Sequence, residues 1–522
     1  MLRIVRPEKR SLRRTRFLLD AIFSTRHSSR DISMSRTPVC SSNDENENVI
    51  SIDRSGLILP KTLRNKPTRK TGNNPGEGTP REASIGDGNQ RAHVKAKNVE
   101  SEMSKHLRSL IRFRGGPLTV AEYMSEVLTH PTAGYYTTRN VLGKAGDFVT
   151  SPEISQMFGE MIGIWCVAMW HQLGCPNRLR LVECGPGRGT LLMDLLRGSS
   201  AFRGFIESLV IDLIEVSPLL RRKQWENLGC DGQWSEGISQ GLTSGGVSVQ
   251  WHMDLGQVPS EEGVPELFIA HEFLDALPVH QFVRTDDRGW CEAVVDVRDG
   301  EEEDGGDQGG RQFRMVLSPF DTFASRTVLS ARLRDIDPKI ESSLRGIEIS
   351  PASIALADGL ARRVSRQGGA ALLIDYGQDG PYETSLVAIK GHEFVDIFED
   401  PGNSDLSAYV DFSALRSAVG RVASEIESQS DDQEGKSRSG LVRMYGPINQ
   451  AIFLKSVGID ARLESLVKIC NKEQQQKLLS GYKRLVGGSE QQSKDEPPGM
   501  GERYKAVCIA SSMIGPPVAF QD

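Results

Sequence analysis

Short apolar runs alternate along this chain with longer stretches in which apolar residues recur every three or four positions. LRLVEC (Leu179–Cys184), VIDLIEVS (Val210–Ser217), VSVQWHMDL (Val247–Leu255), ELFIAHEF (Glu266–Phe273) and ALLIDYG (Ala371–Gly377) read as buried strands. TLLMDLLRG after the first and LLRRKQWENLG after the second carry helical spacing. Continuous apolar strands alternating with helices predict a parallel sheet covered on both faces, an α/β Rossmann-like fold. The most apolar stretch, Met157–Gly174, is interrupted by Glu160 and His171. It predicts a buried helix rather than a membrane span, so no transmembrane segment is expected.

Polar stretches divide the rest. The first thirty residues carry eight arginines among scattered apolar residues and serines, with only Glu8 and Asp20 as acids. That is the composition of a mitochondrial transit peptide, expected over 1–36, with a basic tail or nuclear signal as the alternative. Residues 37–102 lack apolar periodicity and are rich in turn formers, which predicts a linker. A single folded domain is expected over 103–515, with solvated insertions near 299–311, 424–440 and 485–500.

Composition refines this picture modestly. In 522 residues, 38% are hydrophobic, while Gly (52) and Pro (25) are plentiful, as expected for a folded core with much looped material. A net charge of −6 gives no support for a nucleic-acid partner. The eight cysteines include no CxxC pair and no zinc-like spacing, so buried, reduced thiols and no metal site are expected.

The candidate chemistry begins at LVECGPGRGT. Gly185, Gly187 and Gly189 follow the first strand directly, with Thr190 opening the next helix and Glu183 two residues before the first glycine. In doubly wound sheets ligands bind beyond the carboxyl ends of the strands, and glycine there lets a ligand approach the backbone. The spacing is GxGxG, not the GxGxxG of a pyrophosphate site. S-adenosylmethionine lacks phosphate and carries an ammonium, which suits an acid beside the loop. Glu215, closing the second strand, is placed for ribose hydroxyls, and Asp254, ending the third, for the adenine amino group. Any one of these acids could be a solvated strand end or a helix cap; three at successive strand ends favour S-adenosylmethionine over another nucleotide.

AHEFLDALPVHQF follows the fourth strand, where an acceptor would meet the cofactor's methyl group. Its Glu272 and Asp275 are candidate catalytic residues, able to hold a guanidinium in plane; a cap and a turn former are the plain alternatives. Upstream, TSPE predicts a helix start with Ser151 as N-cap and Pro152 in the first helical position. Gly146 and Asp147 before it could form a lid. Asp375 and Tyr376 end the fifth strand and are weaker candidates.

These segments carry a resemblance. GDFVTSPEISQMFGE, LVECGPGRGTL, LIEVS, AHEFLDALPVHQF, GGAALLIDYG, VDFSAL, GPINQAIFLKSVGIDARL and GERY occur in order from about Arg108 to Ala510. Together they resemble the MidA-like family, the mitochondrial arginine methyltransferases that assist assembly of respiratory complex I. The resemblance implies a matrix enzyme that uses S-adenosylmethionine to form symmetric dimethylarginine on a core complex I subunit. Cys184 stands where leucine is common in the family, and Met253 precedes Asp254 where arginine is commoner. Taken by themselves, the residues leave two other readings open: a methyltransferase for RNA or a small molecule, and a non-catalytic assembly chaperone.

Overall fold

A computed structural model describes residues 101–138, 150–235, 237–298, 312–430, 441–488 and 499–521. The expected transit peptide, nearly all of the expected linker, the 299–311 insertion, Gly146 and Asp147 lie outside the described residues.

All five expected strands form: β1 (Leu179–Cys184), β2 (Leu209–Ile214), β3 (Ser248–His252), β4 (Glu266–His271) and β5 (Gly369–Gln378). Two more, β6 (Val442–Asn449) and β7 (Tyr504–Ser511), complete an order of 3-2-1-4-5-7-6, with a short strand at Gln240–Leu242 extending the β3 edge. Strands β1 to β5 run parallel, and β7 is inserted antiparallel between β5 and β6. Since β1 lies between β2 and β4, the chain reverses its winding there, and a crevice opens beyond the strand ends.

Both faces of this sheet are buried, which explains the unbroken apolar runs. Leu181, Ile211, Leu267 and Leu372 share one core with the helix Gln156–Gln172 (α1), while Val182, Phe268, Ala371 and Leu373 share another with Pro351–Gln367 (α2) and Phe412–Ser430 (α3). Glu160 is not solvated: it receives Arg462 Nε at 2.8 Å and Nη2 at 2.9 Å within the buried face of α1. Among the described residues no helix is long and apolar enough to cross a membrane.

A second, antiparallel sheet joins Leu118–Thr119, His280–Thr285, Gly289–Val297, Phe313–Leu317 and Gly346–Ile349. It packs on the N-terminal helices Glu102–Arg114 and Val120–Thr129 and stands beside the crevice.

Three expectations need correction. The helix at TSPE begins at Ser151 itself, with Thr150 in the N-cap position but making no side-chain cap bond, while the Ser151 hydroxyl donates to Glu272. The expected insertions at 424–440 and 485–500 are narrower than the polar sequence suggests. Helix α3 runs to Ser430, burying Val419 and Val422 while its polar face stays in solvent, and the helix Lys472–Val486 and the short helix Met500–Arg503 occupy both ends of the last one. Finally, among the described residues the thiols are free but not uniformly buried, since Cys175 is exposed and Cys470 partly so.

Candidate functional site

The turns after β1, β2, β3 and β4 converge on an open cavity of about 560 Å³. Glu183, Gly185, Gly187, Thr190, Glu215, Asp254 and Glu272 all line it. Gly189 stands just behind the wall, at φ 78°, as the residue before the helix Thr190–Ser199 (α4).

The glycine at 185 is dictated by its surroundings. Its φ is 65°, and a Cβ there would lie 2.5 Å from the ring of Phe273. Glycine is therefore required there twice over, by the left-handed backbone and by the Phe273 ring packed against it.

Glu183 and Glu215 are both buried, and among the described residues neither forms an ion pair, although the Arg221 charge still acts on Glu215. Ser217 N donates to Glu215 Oε1 at 2.8 Å, and Gln224 Nε2 to Oε2 at 3.1 Å. Burial nevertheless pushes the Glu215 carboxyl up to about 7, its hydrogen bonds opposing the rise. Glu183 is pushed up to about 8, by burial first and then by repulsion from Glu215. Its Oε2 is buried with no hydrogen-bond partner among the described residues. A buried carboxylate oxygen left open at a cavity calls for a cationic or hydrogen-bond-donating ligand.

Asp254 is exposed, and both its oxygens already receive Gln257, through the backbone N at 3.1 Å and Nε2 at 2.9 Å. It caps a short 3-10 turn while facing the cavity. Glu272, by contrast, is held in the left-handed region at φ 48°, a conformation that costs a non-glycine residue about 1–3 kcal/mol and tends to mark functional positions. Its Oε1 receives Ser151 N at 3.2 Å and Ser151 Oγ at 3.4 Å, with His271 Nε2 3.2 Å away.

Asp275 does not join this group. It is fully buried off the cavity wall, where Ser407 Oγ donates to its Oδ2 at 2.8 Å. The three-residue spacing suggested two carboxylates on one ligand, but the turn sends the second inward. Asp375 also lies off the wall; its Oδ2 receives the backbone N–H groups of Phe273, Leu274 and Asp275 at 3.1, 3.0 and 3.3 Å.

Two contributors escaped the sequence reading. Gln224, fully buried, donates from Nε2 to Gly187 O at 2.6 Å as well as to Glu215, and accepts Trp251 Nε1 at 2.8 Å. It ties the glycine loop to β2 and β3, and a lone Gln beside Trp225 in a helix was the available signal. Ser151, read as a cap, supports Glu272 instead.

Residues 161–428 match a family model described as "Putative S-adenosyl-L-methionine-dependent methyltransferase". The chain is 37% identical over 422 residues to the mitochondrial protein arginine methyltransferase NDUFAF7 of Danio rerio, covering 80% of this chain and 88% of that one. It is likewise 37% identical to the Homo sapiens protein of that name, over 79% and 84% of the two chains. A solved structure of a superfamily protein from Burkholderia thailandensis, bound to S-adenosyl-homocysteine, superposes with a TM-score of 0.59 at 25% identity, covering 80% of this chain and 94% of that one.

Proposed function

Because the chain belongs to the MidA-like family of S-adenosylmethionine-dependent methyltransferases, we propose that it methylates arginine side chains of a protein in the mitochondrial matrix. The substrate proposed is a core subunit of respiratory complex I, and the product symmetric dimethylarginine. The mitochondrial names of the relatives and the arginine-rich first thirty residues support the location.

The cofactor supplies an electrophilic methyl group on a sulfonium. Glu183 Oε2 takes the ammonium of its methionine part, Glu215 the ribose hydroxyls, and Asp254 the adenine amino group through lone pairs that Gln257 leaves over. Gly185, Gly187 and Gly189 keep side chains out of the loop, and Thr190 opens the helix behind it.

The observation that carries the acceptor assignment is Glu272, strained at φ 48° in the lining of the same cavity as Glu183 and Glu215. Its carboxylate receives guanidinium N–H groups and fixes the plane, so that one nitrogen points at the methyl carbon. The same carboxylate would be placed to take the proton that the guanidinium nitrogen loses on methylation, the sulfonium sulfur leaving as a neutral thioether. Positioning supplies most of the rate, since methyl transfer needs little base strength. Asp275 is assigned to support of the turn rather than to catalysis.

Glu272→Gln is expected to retain cofactor affinity within about threefold and to lose at least ~100-fold in transfer, the scale of a lost charge-assisted contact in a closed site. Titration calorimetry and labelled-cofactor assays on complex I subunits, with mass spectrometry of the product, measure both. Wild-type turnover by the variant removes Glu272 from the reaction. Label on RNA or a small molecule instead of protein arginine favours the second reading, and no transfer at all favours the chaperone.

A further inference from the structure

Apart from these residues, the N-terminal helices bring together an arrangement that methyl transfer does not use. Glu126 and His130 are one helical turn apart, the first on the helix Val120–Thr129 and the second capping its end. His106, on the helix Glu102–Arg114, faces them, with Nε2 2.9 Å from Glu126 Oε2 and its ring centroid 4.4 Å from that of His130. One ligand atom from each residue lies within 4.8 Å of the others.

We propose that His106, Glu126 and His130 form a binding site for a divalent transition-metal ion of the zinc class. Two imidazoles and one carboxylate suit zinc-like ions, whereas magnesium and calcium prefer an all-oxygen set. In a tetrahedron with ligand bonds of about 2.0–2.1 Å the donor atoms sit roughly 3.4 Å apart. His106 Nε2 and Glu126 Oε2, 2.9 Å apart, are already within that spacing, and all three ligand atoms lie within 4.8 Å of one another, so side-chain rotation can bring them onto one ion. His106 and Glu126 are 35% and 30% exposed, so an ion can enter and water can fill the fourth position. Coordination through His130 Nδ1 displaces two long contacts, from Thr132 N at 3.3 Å and Thr132 Oγ1 at 3.5 Å. The His106–Glu126 hydrogen bond is the other contact exchanged for metal bonds.

The site would staple two helices by their side chains. Leu128 and Thr129, immediately before His130, line the cavity, so the ion would stiffen one of its walls. This is independent of which acceptor the enzyme uses.

The test uses the full chain, stripped with chelator and titrated with zinc alone by calorimetry, beside His106→Asn/His130→Asn and Glu126→Gln. Other thiols and imidazoles, such as the exposed Cys175 3.2 Å from His171, give a background common to all variants. The wild type should bind one more zinc ion per chain than the double variant. Glu126→Gln should weaken that ion at least about tenfold, since even outer-shell changes cost 10- to 100-fold. Substituting cobalt should give the absorption of a tetrahedral nitrogen–oxygen site in the wild type alone. Retained S-adenosylmethionine binding shows that the variants fold, and Glu126→Gln preserves both imidazoles if the double variant does not. Equal zinc stoichiometry and affinity in wild type and variants overturns the proposal, as does displacement of zinc by equimolar magnesium.

Discussion

Burial makes Glu183 and Glu215 hold their protons to higher pH than ordinary carboxyls, and leaves a Glu183 oxygen at the cavity ready for a cation. From an ordinary value of 4.5, the folded chain raises them to about 8 and about 7. Between those limits the folded protein keeps protons that the unfolded chain has released, so the stability they lend is whole at low pH and lost as pH rises towards 8. The ligand-free chain should therefore lose thermal stability between about pH 5 and pH 8, and Glu183→Gln should flatten that loss. Cofactor binding should run the opposite way, because its ammonium needs an ionised Glu183. Calorimetric affinity should improve from about pH 6 to near pH 7.5 and fall again above about pH 8, where the cofactor's own amino group loses its proton. Glu183→Gln should weaken it most, about tenfold, near the maximum. A pH-independent affinity that the substitution leaves unchanged would remove Glu183 from the cofactor site.

At the level of elements, α1 and α4 approach so closely that their contact is built on glycine. A Cβ on Gly163 would lie 2.8 Å from Leu195 O, and one on Gly159 2.9 Å from Leu191 O. A carbonyl bonded within a helix cannot step aside, so Gly163→Ala should cost about 1–3 kcal/mol despite alanine's better helix propensity. Gly420, in α3, has open space around its missing Cβ, and there the same substitution should stabilise by up to ~1 kcal/mol. Denaturant unfolding of the two variants tests the opposite signs. Such contacts are invisible in a single sequence, whereas the strands were legible. β1 forms over the residues of the LRLVEC run because all six are buried, even Arg180 and Glu183. β6 was missed because Gly446 and Pro447 punctuate it, and His280–Thr285 because it has one buried residue, Phe282, among half-buried and exposed ones. The acids at the ends of β1, β2 and β3 were legible for the same reason as the strands: position follows once the strand is placed. What Glu272 and Asp275 do was not, because their turn is shaped by a residue about a hundred positions later.

That residue, Asp375, links the two halves of the molecule. It lies near the end of the central sheet's β5, which runs on to Gln378, yet its Oδ2 gathers three consecutive N–H groups of the turn that leads from β4 towards the antiparallel sheet. The same turn is fixed from the other side, where Ala408 N donates to Asp275 O at 2.9 Å and Ser407 Oγ to its carboxylate. Phe273 and Glu272 are thus set by the meeting of the sheets, not by either alone. Removing the acceptor in Asp375→Ala leaves the turn's N–H groups without it, at about 1–3 kcal/mol for each one left unsatisfied. The expected result is a turn that no longer aims Glu272, with kcat reduced at least ~10-fold, while cofactor affinity, set on the β1 and β2 side, changes by less than about threefold. Asp375→Asn keeps one oxygen that can accept the same N–H groups and should restore much of the lost kcat. Steady-state kinetics with calorimetric cofactor affinities separates this from general damage: equal loss of kcat and cofactor binding in both variants would mean that Asp375 only stabilises the fold, whereas a kcat-selective loss rescued by asparagine makes it the joint through which the fold positions its catalytic carboxylate.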